Sequence, residues 1–267
     1  MRKYFAFFKV RFQTGLQYRM ASLTALTTQF VWGLMECLAY KALLESDGLA
    51  FPMEYSALVS YIWLKEAFLV IFTVLSMDNE IFGMIMDGSI AYEMCRPISI
   101  YNMWFSRTVG RRLAEAALRC VPVLLVAFLL PRPYKMGAPI SLPAFGLFVF
   151  SMILGMGVTV AFCMLVYILC FFTISPQGWR MLLTGGVELL SGAIIPLPFI
   201  PEPYRTVLEL LPFASMQNVP FRIYSGDLAG REMWLALELQ LFWMLVLIAL
   251  GKLLCAKAER RVVVQGG

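Results

Sequence analysis

Met136–Trp179 reads MGAPISLPAFGLFVFSMILGMGVTVAFCMLVYILCFFTISPQGW, 44 residues without Asp, Glu, Lys or Arg. A helix crosses a bilayer core with about 20 apolar residues. The run therefore holds one full crossing with flanking turns to spare. It is continuously apolar rather than alternating with period two, which favours a helix over a barrel strand. The rest of the chain agrees: 267 residues, 60% hydrophobic, 15% charged, mean hydropathy +0.76. Soluble domains carry about 25% charged residues. The composition predicts an all-α, multi-pass membrane protein, with no repeat, linker or soluble domain between the spans. Residues 1–267 read as one membrane domain.

Six transmembrane helices are expected. The first covers Ser22–Leu44 and the second Ser56–Met77. The third ends at Leu130 and the fourth spans Leu142–Ile174. The fifth runs from Met181 to Pro196 and the sixth from Met233 to Leu254. The uncharged part of the third, Cys120–Leu130, is only 11 residues, so its helix must begin among Arg111, Arg112, Glu115 and Arg119. Those arginines read as helix-end residues snorkelling to the headgroups, with Arg111, Glu115 and Arg119 on one face. Residues 1–20 interleave Lys3, Lys9 and Arg11 with Tyr4, Phe5, Phe7, Phe8 and Phe12, the pattern of a helix lying in the lipid interface. A cleavable signal sequence is not expected there, for want of a short apolar stretch followed by a small-residue cleavage site.

Lys and Arg distribute unevenly across this topology. With both termini on one side, that side holds 15 of the 22 and the opposite side six, with Lys65 inside a span. Cytoplasmic loops carry the Lys/Arg excess, so both termini are expected in the cytoplasm. Membrane lipids are partners by this reading; nucleic acid is not.

The chain has no histidine and no CxxC pair among its six cysteines, which removes the commonest metal ligand and general base. There is no GxxxxGK[ST], HExxH or GxSxG. No catalytic residue, metal or cofactor is expected on this chain. Intramembrane charge is left as the polar chemistry: Glu36, Lys65, Glu66, Glu188 and Glu238. Lys65 and Glu66 are neighbours about 100° apart on a helix, so one of them can pair with Glu36. Inter-helix polar glue and a substrate path both fit these residues. The glycines at 155 and 157, and again at 185, 186 and 192, read as close helix packing.

Two segments do not fit plain loops. Between the second and third spans, Asp87–Ile100 reads DGSIAYEMCRPISI. Asp87 or Ser89 can cap a helix that Pro97 then stops, Glu93 and Arg96 are an i, i+3 pair, and Ile85, Ile90, Met94 and Ile98 offer apolar contacts. After the fifth span, PLPFIPEPYRTVLELLPFAS carries prolines at 196, 198, 201, 203 and 212, yet is too apolar for a free loop. Proline breaks helices, and irregular backbone at membrane depth is tolerated only inside protein or along a cavity. Residues 196–216 are therefore expected to form a re-entrant helical hairpin.

Taken together these features resemble the membrane subunits of type-2 ABC transporters, in the bacterial permease group without a fused ATPase. The segment around Gly88, Arg96 and Pro97 is similar to the family's Gly-x-x-x-x-x-Leu-x-Arg-Pro, with Met94 in place of leucine. LPFASMQNVPFRIYSG, Leu211–Gly226, is similar to its Leu-Pro-Phe…Pro…Gly signature, with Val219 in place of an aromatic. The resemblance implies the membrane half of an exporter. Two copies of a separate ATPase would bind ATP and Mg, and a second permease, identical or paralogous, would complete the path. It implies that residues 80–98 carry a coupling helix docking on the ATPase through Asp87, Gly88, Ile90, Tyr92, Glu93, Met94, Arg96 and Pro97. It also implies that the hairpin, with Pro196, Phe199, Pro201, Pro212 and Phe213, closes the outer gate. An ion-coupled secondary transporter and a non-transporting scaffold are the alternative readings. The former predicts a pair of broken helices, one in each half. The abundance of aromatic and Met side chains suits an amphipathic or hydrophobic cargo.

Overall fold

The computed structural model describes residues 2–17, 19–47, 52–173 and 176–260. Within them the chain is helical, without a strand. Helix α1 (Arg2–Gln17) leads into α2 (Arg19–Asp47). Helices α3 (Tyr55–Ala67) and α4 (Leu69–Phe72) follow, then the short α5 (Asn79–Met86) and α6 (Ile90–Met94). Three longer helices come next: α7 (Ile100–Leu129), α8 (Leu142–Leu169) and α9 (Pro176–Leu190). The chain closes with α10 (Tyr204–Leu210), α11 (Asn218–Ser225) and α12 (Gly230–Glu259). Ile174, the expected end of the fourth span, lies outside the described residues.

Two helices are long and apolar enough to cross a membrane by length and composition. They are the α8 segment Leu142–Phe172 and α12, with mean hydropathies of 2.4 and 2.1. They use their apolarity differently. Helix α8 is apolar all round and buries 78% of its most apolar stretch inside the chain, against 22% for α12. A helix apolar on every face belongs in the centre of a protein or against lipid. Helix α8 takes the first place, packed on α7, α11 and α12, and α12 takes the second, exposing Trp234, Leu241, Phe242 and Leu245. Backbones meet closely at Gly155, where a Cβ would collide with the Met216 carbonyl oxygen.

The second span departs from expectation. Ser56–Met77 is not one helix: α3 stops at Phe68 (φ −108°), α4 adds one turn, and Thr73–Asp78 is irregular. The carbonyls left free at and past the end of α4 are taken up by Arg112. Its side chain is buried, not snorkelling, and its Nη1 donates to the carbonyl oxygens of Val70 (2.7 Å), Ile71 (2.9 Å) and Thr73 (2.9 Å). Its Nη2 reaches the Ser76 carbonyl at 3.5 Å and Cys163 Sγ at 3.3 Å. Arg111 also donates to the Ser76 carbonyl and, at 3.2 Å, to its hydroxyl. The last carbonyls of a helix have no partner within it, and unpaired buried carbonyls are costly. One guanidinium with five N–H donors satisfies several at once.

Other neighbours hold the same irregular segment. The Asp78 N–H donates to the Tyr167 hydroxyl (2.6 Å), Thr73 Oγ1 donates to Glu188 (2.7 Å), and Arg180 donates to Asn79 Oδ1 (2.7 Å). Residues 73–79 thus join α7, α8 and α9. The third span is correspondingly longer than its uncharged stretch. Helix α7 begins at Ile100, where Ser99 Oγ accepts the Asn102 N–H at 3.4 Å. At 1.5 Å per residue its 30 residues reach about 45 Å. The fifth span is also corrected. Helix α9 starts at Pro176 and ends at Leu190, before the Ser191–Ala193 turn in which Gly192 holds φ +79°.

Removing the Arg112 guanidinium strands these carbonyls. Arg112→Met should lower stability by on the order of 3–5 kcal/mol, whereas Arg132→Met, on an exposed turn, should change it by no more than about 0.5 kcal/mol. Thermal unfolding in detergent checks this, and equal midpoints for the two variants would overturn the role given to Arg112.

Candidate coupling site

The site lies at the end of the bundle where α1, α5 and α6 meet the start of α7. The expected single helix between the second and third spans is two short ones. Helix α5 starts at Asp78, whose Oδ1 accepts the Glu80 N–H at 3.0 Å. It ends at Met86, and Gly88 turns the chain with φ +75°, a backbone state glycine takes without strain. The Asp87 carboxylate accepts the Ser89 N–H at 2.9 Å, and hydrogen bonds from Ser89 hold its pKa below the usual value. Helix α6 ends at Met94, two residues before Arg96.

Burial divides the eight expected coupling residues into two sets. Asp87, Gly88, Tyr92, Arg96 and Pro97 are exposed, with Tyr92 at 79%, beside Met86 at 67%. Ile90 and Glu93 are buried and Met94 is half-buried. The expected Glu93–Arg96 pair does not form. Glu93 instead accepts from Trp104 Nε1 (2.9 Å) and from Arg107 Nη1 (3.3 Å), both on α7. A desolvated carboxylate needs such partners, and Arg96, exposed among neighbours in water, supplies none of that compensation.

Arg107 gathers the carboxylates of this end. Besides Glu93 it faces Glu80 at 2.9 Å and Asp78 at 3.7 Å, as ion pairs rather than aligned hydrogen bonds. Glu80 is also paired with Arg11 of α1. One α7 arginine thereby holds the start of α5 (Asp78, Glu80) and the inner face of α6 (Glu93). Helix α1 is bound into the same unit. Its Tyr4 hydroxyl accepts the Ser99 N–H at 3.2 Å, and a Cβ on Gly110 of α7 would lie 2.7 Å from the Phe8 carbonyl oxygen. Lys3, Phe5, Lys9 and Val10 face outward. Sequence reasoning counted Arg107 and Arg11 only as positive charges and passed over Glu80 and Trp104. Separations of 11 to 69 residues between these partners leave no local pattern to find.

Three of the five expected intramembrane polar residues come together. Lys65 pairs with Glu36 and lies 4.0 Å from Glu66. Gln29 donates to the Glu66 carbonyl at 2.9 Å, tying α2 to α3. Glu188 stands apart on Thr73, and Glu238 is on the exposed side of α12. At the other end of the bundle, Pro196 begins a single 3₁₀ turn, Leu197–Phe199, with the Phe199 ring 5.0 Å from Tyr40. Pro201 is exposed, α10 buries no residue, and Pro212 and Phe213 lead into α11. The Phe213 ring lies 5.5 Å from Phe162, and α11 is buried against α3 and α8.

The model of the ABC-2 family transporter proteins matches residues 52–266, most of the chain and every helix from α3 onward. The chain belongs to that family. No curated protein matches it. As an ABC-2 family member it is a membrane protein of ABC-type transport, in a family of membrane subunits that generally lack an ATP site of their own and typically pair with an ATPase subunit. Among the described residues no group of three or more His, Cys, Asp or Glu is arranged to hold a metal ion.

Glu80 sets a pH limit on this cluster. Burial raises its pKa, but the hydrogen bond from Arg11 and the charges of Arg107 and Arg11 outweigh that and leave it below the ordinary 4.5. A lowered carboxyl pKa contributes stability above the ordinary value, lost as pH falls through the lowered one. Glu80→Gln should therefore cost no more than about 1 kcal/mol at pH 7, because its side chain is 53% exposed. The difference from wild type should shrink once the pH drops below the lowered value. A difference that grows on acidification, read from paired unfolding curves, would contradict this sign.

Proposed function

We propose that this chain is the permease subunit of an ATP-driven exporter in a bacterial inner membrane. Its spans are α2, α3 with α4, α7, α8, α9 and α12, and both termini and the α5–α6 end lie in the cytoplasm. Two copies of a separate ATPase bind ATP and Mg and dock on the exposed tip formed by Met86, Asp87, Gly88, Tyr92, Arg96 and Pro97. A second permease, identical or paralogous, supplies the other half of the path. The family match supports transport of the ABC type, and the excess of Lys and Arg on one side supports the orientation.

The observation that carries the coupling role is the two-sided build of α5 and α6. Their outer side is exposed and unpartnered by the long helices, while Glu80 and Glu93 fasten their inner side to Arg107. A push on Tyr92 then moves α7 with the tip, as a lever would, instead of deforming a loop. The residues with inward contacts, Ile90, Glu93 and Met94, serve as its root and not as its docking face. Alternating access would follow from α7 moving relative to α8 and α9 through residues 73–79. At the opposite end, the 196–216 segment with α11 forms the re-entrant outer closure.

Ion-coupled transport would use the break after α4 as a cation site, since freed carbonyls coordinate cations well. Here those carbonyls already accept from Arg112 and Arg111, and a guanidinium in that position repels a cation. This favours the ATP-driven reading.

Two experiments test the proposal. Cys95 is the exposed cysteine among the six; Cys120 is intermediate and the others are buried. A membrane-impermeant maleimide should label Cys95 in inverted vesicles and not in right-side-out ones, and the bound ATPase should protect it. Labelling only from the outside would overturn the orientation. Replacing Tyr92 and Arg96 by alanine should reduce co-purification of the partner ATPase by at least about tenfold, equivalent to about 1.4 kcal/mol. Arg107→Gln should instead leave binding in place and lower ATP-dependent transport. Undiminished co-purification of the Tyr92/Arg96 variant would sink the docking face.

A further inference from the structure

Arg222 lies within the Leu211–Gly226 signature, yet nothing in the coupling mechanism uses it. Its side chain is 7% exposed. Its Nε donates to Asp227 at 2.5 Å and its Nη1 to Glu209 at 2.7 Å, while Nη2 has no hydrogen-bond partner among the described residues. Arg222 forms part of the wall of a cavity of about 450 Å³ between α10, α11 and α12, a size typical of small-molecule sites. Arg205, Glu209 and Glu232 also line it, so the wall carries two cations and two carboxylates. Arg205 bonds Glu209 only through Nε, at 3.2 Å. Apart from Thr206 and Asn218, the remaining wall is apolar, with Leu228, Leu235 and Leu239 among its residues. It continues into the exposed face of α12, where Leu235 is 53% and Trp234 55% exposed.

We infer that this cavity binds the headgroup of a zwitterionic phospholipid bearing a primary ammonium, a phosphatidylethanolamine of the outer leaflet. The chemistry selects that class. Arginine guanidinium groups bind phosphate oxygens strongly, and Nη2 of Arg222 is free to do so. Glu209 and Glu232 can then accept from the ammonium. A purely anionic headgroup would meet two carboxylates with no cation of its own to offset them, and a quaternary ammonium has no N–H to donate. The acyl chains leave along the apolar face of α12, which is exposed within this chain. A soluble polar ligand would have no use for that wall. The inference requires this end of the bundle to lie in a bilayer leaflet, but not that an ATPase drives the chain.

The test uses the full-length chain, purified, delipidated and re-exposed to phosphatidylethanolamine, phosphatidylglycerol or phosphatidylcholine of one acyl composition. Native mass spectrometry reads lipid occupancy and thermal unfolding reads stabilisation. The ethanolamine lipid should bind at least about tenfold more tightly than the other two and raise the midpoint. The double variant Arg205→Gln/Glu232→Gln alters two rim side chains that the buried Arg222 pair does not need for its own contacts. It should abolish the preference while remaining monodisperse. Equal occupancy by the three lipids overturns the proposal, as does an unchanged preference in the double variant. Occupancy that requires the ATPase and ATP would mark the ligand as cargo and overturn it too. Should the double variant not fold, the lipid ranking on the wild-type chain decides alone. Loss of Cys95 protection by the ATPase would leave this result untouched, which separates its failure from that of the transport reading.

Discussion

The buried guanidinium of Arg112 is the constraint on which the middle of this protein depends. It sits where α3 and α4 stop short of a full crossing and donates to the carbonyls that the stopped helix leaves free. Two costs cancel there. A charged side chain within the bundle is unfavourable to bury, and so is a broken helix end, but together they form a set of charge-assisted hydrogen bonds. The result is a helix break held rigid rather than a flexible joint. Because residues 73–79 also bond to Tyr167, Glu188 and Arg180, the break is where α7, α8 and α9 are tied together.

From that junction the chain continues directly into α5 and α6. Asp78 is at once the end of the irregular segment, the cap of α5 and a partner of Arg107. Arg107 and Arg112 lie five residues apart on α7, so one helix organises both the tip of the molecule and the break in its second span. The tip is thereby fastened to α7, a continuous helix of 30 residues. Helix α1 adds stiffness on the outside, through Arg11 and through the close approach of its backbone to Gly110. The Lys65–Glu36 pair serves a separate purpose, joining α2 to α3.

Some of this was legible in the residues. The uncharged run Met136–Trp179 announced α8, and the prolines from 196 to 212 announced an irregular segment, found as a 3₁₀ turn followed by α10 and α11. The possible partnership of Lys65 with Glu36 was also visible, because a mid-span charge has few places to go. Glycine at 88 and proline at 97 marked a bounded segment between the second and third spans. Its division into two helices was not visible, since a turn at Gly88 depends on which neighbours hold each side. The i, i+3 spacing of Glu93 and Arg96 suggested a local pair, but spacing within a helix cannot weigh an exposed partner against a buried one on another element.

Composition and periodicity alone determined that the chain is an all-helical membrane protein, because apolar length and residue type are local properties. Only the tertiary structure decided that Arg112 satisfies the broken end of the second span, that Glu93 turns inward to Arg107, and that Arg222 borders a cavity of mixed charge. Each of these depends on a charged group finding its compensation far along the chain. Desolvation makes that compensation obligatory, and only the folded backbone selects which partner provides it.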